Sequence, residues 1–178
     1  MWLQISGASV LSHPDIKSGS FGEASQESYD DLENASEVRD LIDSNSTRAV
    51  DQYVLNFARL HPGKVRTALI FPPIIFGDGR GLGNTTSIQI PGLCWTALTR
   101  HRSVYVGKGL ACWGNVHVAD LARLAADLIN ASIHSANEHA LWNAHGLYFP
   151  ATGDMVSTDT FVHIVTSINL VTDMVGYR

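Results

Sequence analysis

Four glycines alternate at positions 77, 79, 81 and 83, behind an apolar run, in the stretch FPPIIFGDGRGLGN at 71–84. Glycine-rich turns after buried strands hold phosphates, because backbone N–H groups can approach an anion closely where no Cβ intervenes. A dinucleotide turn needs strand, G-x-G-x-x-G and then a helix at once, so that the helix N-terminus meets the pyrophosphate. Here the glycines alternate strictly, and the NTTSIQIP that follows opens no helix immediately. Gly19-x-x-Gly22-x-x-Ser25 is spaced more like the fingerprint, but it lies in a polar stretch with no strand leading in. Both stretches are therefore expected to be loops whose glycines take positive φ, not phosphate cradles. The nucleophile inventory is short. No G-x-S-x-G elbow occurs, and Ser6 and Ser9 lie at or just past the end of the first apolar segment, where open α/β sheets place active-site residues. Cys94 and Cys112 lack metal-ligand spacing, and His134, His139 and His145 form neither HxxxH nor HExxH, so no metal site is expected.

These groups need elements to hold them. At 178 residues and 45% hydrophobic, the chain can bury one core, and a single domain over residues 1–178 is expected. WLQIS, at the start, reads as a strand. Residues 11–45 are rich in Ser, Asp and Glu and read as a long surface excursion with one short helix at most. STRAVDQYVLNFARLHPG then places Ala49, Val50, Tyr53, Val54, Phe57 and Leu60 on one helical face, with Ser46 as N-cap and Pro62-Gly63 as the stop. KVRTALIFPP follows as a strand with the unbroken apolar run of burial on both faces. Helix followed by buried strand is the alternation of a parallel sheet. A helix from about Pro91, a short strand and turn in RSVYVGKG, and a helix in VHVADLARLAADLINAS with the stripe Leu121, Leu124, Ala125 and Leu128 come next. GLYFPATG reads as a strand and VSTDTFVHIVTSI as a final helix starting at Ser157-Thr158-Asp159.

The net charge of −5 argues against an electrostatic grip on nucleic acid. No apolar run approaches the ~20 residues of a membrane span. A cytoplasmic protein is expected. Four N-x-S/T sequons, at Asn34, Asn45, Asn84 and Asn130, carry no weight without a signal peptide.

Strand plus SGAS, helix RAVDQYVLNFA, strand plus FPPIIFGDGRG, and VHVADLARL together resemble the second half of an extended short-chain dehydrogenase/reductase, in the NAD-dependent epimerase/dehydratase group. The resemblance covers roughly residues 1–150, and its specific part is the pair PPIIFGDGRG (72–81) and NVHVADLA (115–122). It implies an α/β fold: a partial Rossmann-like parallel sheet, with the N-terminal dinucleotide-binding half missing, and a small substrate-binding region. By the same resemblance the glycine loop is a pocket wall closing over the nicotinamide end of the cofactor. Ser6, Gly7, Pro72 and Ile75 would face NAD or NADP, and Phe76, Asn84, Trp113 and His117 would face substrate. Three departures accompany the match. The glycine fingerprint is absent. The family's Tyr-x-x-x-Lys pair, in which the Lys lowers the phenol's pKa, is also absent: none of Tyr29, Tyr53, Tyr105, Tyr148 or Tyr177 has Lys four residues on, and Arg48 stands near the Lys position. Gly7 falls where the family's catalytic Ser or Thr stands, so no catalytic residue is assigned. Finally, sugar-nucleotide members carry Arg four residues before the His of VHV, where this chain has Trp113.

The expected function is NAD(P)-dependent oxidoreductase or epimerase-like chemistry on a carbonyl or alcohol of a small molecule. The chain as given is expected to be truncated and inactive, with no cofactor bound by it alone. The alternative is a non-catalytic dehydrogenase-like module that binds a partner or senses nucleotide. The edge of the first strand is expected to be open to self-association.

Overall fold

A computed structural model describes residues 1–25, 27–100, 102, 104–134, 140–153 and 156–157. The chain is a mixed α/β structure of short parallel sheets and helices, a partial Rossmann-like arrangement. It opens with β1 (Trp2–Ile5), a 3₁₀ turn (Ala8–Ser12), α1 (His13–Ser18), α2 (Ala35–Ser44), α3 (Ala49–Leu60) and β2 (Thr67–Ile70). β3 (Ile74–Phe76), α4 (Gln89–Arg100), β4 (Cys112–Trp113), β5 (Asn115–His117) and α5 (Val118–Ile133) follow, then β6 (Leu147–Tyr148) and β7 (Val156–Ser157). β1, β2 and β6 form a parallel sheet in that order, β3 pairs with β5 in parallel, and β4 pairs with β7 antiparallel.

β2 is the centre of the fold, and all four of its residues are buried, as its unbroken apolar run predicts. Side chains alternate across a strand, so β2 feeds two cores. Leu69, with Phe71 just beyond it, packs against Val10, Ala35, Val38, Ile42, Val54 and Leu147. Ala68 and Ile70 pack on the other face against Leu128, with Leu3, Leu121 and Leu124 around them. Phe71 also stacks on Phe149 at 4.7 Å between ring centroids, nearly parallel. β1 lies beside β2 in the register Trp2↔Thr67 to Ile5↔Ile70, so the expected neighbour of WLQIS is the observed one.

Residues 11–45 depart from the surface excursion expected of them. They contain two helices, and α2 sends Ala35, Val38 and Ile42 into the first core, the last two with no exposure at all. The i, i+3, i+7 spacing of those residues is a helical stripe; the acidic and serine residues between them occupy its outer face.

α3 is rotated from its expected orientation. Its buried residues are Asp51, Val54 and Ala58, whereas Val50, Tyr53 and Leu60 are more than half exposed. The cause is Asp51: its carboxylate accepts a hydrogen bond from Ser6 at the end of β1, which turns that side of the helix inward. Tyr53 and Phe57 instead pack with Trp2 at the sheet edge, at centroid distances of 6.0 and 5.8 Å. Ser46 does not cap α3: Arg48 stands at its N-cap without a side-chain cap bond, and Asn45 caps the preceding 3₁₀ turn (Ser46–Arg48) by accepting from the Thr47 N–H at 3.0 Å.

In RSVYVGKG, residues 106–109 are turn and bend, and the described residues of this stretch do not form the expected strand. Val156–Ser157, expected to open a helix, are extended against Trp113 and Cys112; the rest of that expected helix lies outside the described residues. Among the described residues no helix is long and apolar enough to cross a membrane.

The inward face of α2 yields a contrast. Ile42→Ala should cost about 2–5 kcal/mol of stability, and Val50→Ala, on the face first expected to be buried, within about 0.5 kcal/mol. Urea denaturation of the two variants checks both.

Candidate functional site

The described site residues fall into two groups joined by the chain from β2 to β3. The first lies at the carboxyl ends of β1 and β2, the place where open α/β sheets bind ligands. The Ser6 N–H donates to the Ile70 carbonyl at 2.7 Å, and the Ala8 N–H donates to the Pro72 carbonyl at 3.0 Å. Ser6, Gly7 and Pro72 are thereby brought together. Across them runs a polar network that was only half visible in the sequence. The Ser6 hydroxyl donates to Asp51 Oδ2 at 2.8 Å. Arg48 Nη2 donates to Ser9 Oγ at 2.7 Å, while its Nη1 lies 3.5 Å from Ser6 Oγ and 3.8 Å from Asp51 Oδ2. The ion pair is well shielded, with side-chain exposures of 16% for Arg48 and 5% for Asp51. Arg48 Nε is buried with no partner among the described residues.

Arg48 stood out beforehand; Asp51 did not. The signal available for it was the i, i+3 spacing of opposite charges on one helix.

The second group is built by β3 and β5. Their register is Ile74↔Asn115, Ile75↔Val116 and Phe76↔His117, so the two motifs separated by residues 82–114 in sequence run side by side. Phe76 and His117 meet edge to face at 5.1 Å. His117 also caps α5: its Nδ1 accepts from the Ala119 N–H at 3.1 Å, which makes Nε2 the protonated nitrogen of the neutral ring. Nε2 faces Gly77, whose φ is 92°, and a Cβ there would collide with the imidazole. Gly77 is therefore needed twice, for its backbone and for its lack of a side chain. Gly22, with φ 75°, is likewise pressed against the backbone of Val106, so its role is loop packing and not phosphate contact. Gly79, Gly81 and Gly83 do not take the positive φ expected of them.

The remaining candidates spread out. Ile75 sits in the second sheet, apart from the Ser6–Gly7–Pro72 turn, and its carbonyl accepts from Ser87 Oγ at 2.7 Å, tying the glycine loop back to β3. Asn84 is exposed in that loop, where its Oδ1 accepts from the Thr86 N–H. Trp113 is 42% exposed on β4, next to Gly114, where an added Cβ would come to van der Waals distance from Pro73.

Neither strand-end turn nor glycine loop fits a dinucleotide's pyrophosphate. After β1 the N–H groups of Ser6, Ala8 and Val10 are spent on Ile70, Pro72 and Gly7, and in the glycine loop the Gly79 N–H is spent on Thr85. Two phenols, Tyr29 and Tyr148, are shifted away from neutrality. Tyr29 is pushed up to about 12 by burial and by the Glu27 carboxylate that its hydroxyl meets at 2.8 Å. Tyr148 is raised by burial, its hydroxyl bonded to the Leu141 backbone. Among the described residues no group of His, Cys, Asp and Glu could hold a metal ion.

Comparison with known proteins finds an oxidase, ucsJ of Acremonium sp., 28% identical to this chain over 159 residues. The match takes in 84% of this chain but 45% of the oxidase, so the chain spans a little under half the length of that relative. No family model matches.

Two substitutions test this geometry. Gly77→Ala should cost more than ~1 kcal/mol because a Cβ is strained at that φ, and adding His117→Ala should recover only the part due to the collision. Arg48→Met, which leaves the Asp51 carboxylate buried without its cation, should cost about 3 kcal/mol. Arg48→Met with Asp51→Leu should recover most of that loss. Thermal and urea melts of the single and double variants read out both cycles.

Proposed function

We propose that this chain carries the substrate-facing wall of an oxidoreductase that uses NAD or NADP on a carbonyl or alcohol of a small molecule. The observation that carries the reading is the parallel pairing of β3 with β5. It sets Ile75, Phe76 and His117 side by side behind the glycine loop, and the resemblance to extended short-chain dehydrogenases and epimerases gives these residues to the cofactor and substrate pocket. The similarity to an oxidase over most of the chain supports oxidoreductase chemistry in general terms. In this reading the cofactor's pyrophosphate is not held by the described residues, and no chemical step is assigned to them. Their part is to bind and orient: Phe76 and Trp113 offer apolar surface, and the His117 Nε2–H is a fixed donor beside Gly77.

Trp113 in place of a basic residue favours small apolar or aromatic carbonyls over nucleotide sugars, since an indole offers no charge for a diphosphate. A second reading, a non-catalytic dehydrogenase-like module, draws on one observation. Arg48, near the position of the family's lysine, is engaged by Asp51 and Ser9, and a guanidinium is a poor proton relay.

Calorimetry of this chain with NADH and with NADPH should show no binding tighter than a Kd of about 10 μM (roughly −7 kcal/mol). Small aromatic ketones should quench tryptophan fluorescence, and Trp113→Ala should remove the quench. Tighter binding of a UDP- or GDP-sugar than of small ketones would overturn the apolar-pocket assignment.

A further inference from the structure

We propose that the Ser9 hydroxyl, held from behind by the guanidinium of Arg48, is the hydrogen-bond donor that receives the carbonyl oxygen of the small-molecule substrate. The proposal rests on the functional reading above and adds to it a residue outside the β3–β5 pair. A guanidinium carries donors and no acceptor. The 2.7 Å bond from Arg48 Nη2 therefore occupies a lone pair of Ser9 Oγ and leaves the hydroxyl proton to be given elsewhere. Among the described residues that proton has no acceptor, and Ser9 is exposed. Ser6 differs, because its hydroxyl already donates to Asp51 Oδ2 at 2.8 Å. Of the two serines that follow β1, Ser9 is the one with a donor to spare.

The cation behind Ser9 is fixed. Arg48 Nη1 lies 3.8 Å from the Asp51 carboxylate, and the two side chains are only 16% and 5% exposed. A hydroxyl that accepts from a cation is polarised and becomes a stronger donor, which suits the negative end of a carbonyl dipole. Room for that oxygen comes from Gly7. A Cβ added there would meet nothing nearer than Ser9 Oγ, at 3.7 Å, so the missing side chain leaves open the space before the hydroxyl. The backbone of Gly7, at φ −161° and ψ 141°, is extended and does not itself demand glycine. The Ala8 N–H bond to the Pro72 carbonyl holds this corner beside the chain that enters β3. The other fixed donor, His117 Nε2, is crowded by Gly77.

The test titrates the whole chain into acetophenone labelled with carbon-13 at its carbonyl and follows that carbon by NMR. The bound carbonyl should move downfield, as a hydrogen-bonded one does. Ser9→Ala should abolish the move and weaken binding about fivefold to tenfold, while Ser9→Thr keeps both. Gly7→Val leaves the Arg48–Ser9 bond in place but fills the space before the hydroxyl. It should lose acetophenone binding with an unchanged thermal melt. That variant decides the matter if Ser9→Ala proves unstable, and undiminished binding by Gly7→Val overturns the proposal. A downfield move that survives Ser9→Ala, or a bound ketone with no move, also overturns it and leaves the functional reading standing. So does a move lost in His117→Phe and kept in Ser9→Ala, which assigns the donor to His117. A wild-type chain that binds no acetophenone up to its solubility overturns the functional reading, and this proposal with it.

Discussion

Burial of β2 on both faces is the constraint on which the other elements depend. A strand with no solvent-facing side must have an apolar layer above and below it, and α2 with α3 supplies one while α5 supplies the other. Its backbone is tied on both sides as well, to β1 over four residue pairs and to β6 over two. Because β2 is held this firmly, the points where the chain leaves it are fixed. Phe71 locks against Phe149, and Pro72 is pinned through its carbonyl to the turn after β1. The site is built on those exits.

One consequence is a division of labour at the carboxyl ends of the strands. Where β1 ends, the N–H groups of Ser6, Ala8 and Val10 are bonded within the chain, and Arg48 is held by Ser9 and Asp51 with its Nε left unpartnered among the described residues. Where β3 and β5 end, the groups are apolar or singly polar: Phe76, His117 with one fixed N–H, and Gly77 leaving room for the ring. The second region has the mixture of apolar surface and a few placed polar groups that small-molecule sites use.

Much of this was legible from residue pattern. The burial of β2 followed from TALIF, and the helical character of α3 and α5 from apolar residues at helical spacing. The pairing of the two distant motifs was not legible: the resemblance joined them only as marks of one family, and nothing local in IIF or NVH specifies pairing across residues 77–114. The misses have physical causes. α2 was hidden because three buried residues, Ala35, Val38 and Ile42, are diluted among acidic and serine residues whose composition suggests a solvated loop. The face of α3 was misjudged because apolar periodicity counts Tyr53 and Val50 as buried and Asp51 as exposed. The tertiary hydrogen bond from Ser6 reverses that order. Trp113 and Asn84 were grouped with His117 by resemblance, and loop geometry sets Asn84 in the open.

The central claim is that the wall formed by β3, β5 and the start of α5 receives a small carbonyl compound. The most direct measurement is a two-dimensional amide spectrum of the chain titrated with a small aromatic ketone. The account predicts shifts concentrated on residues 74–77 and 113–119, with the His117 ring protons moving in step. Shifts confined to the surface between Tyr29 and Asp40, or an unchanged β3–β5 pair at saturating ketone, would contradict it.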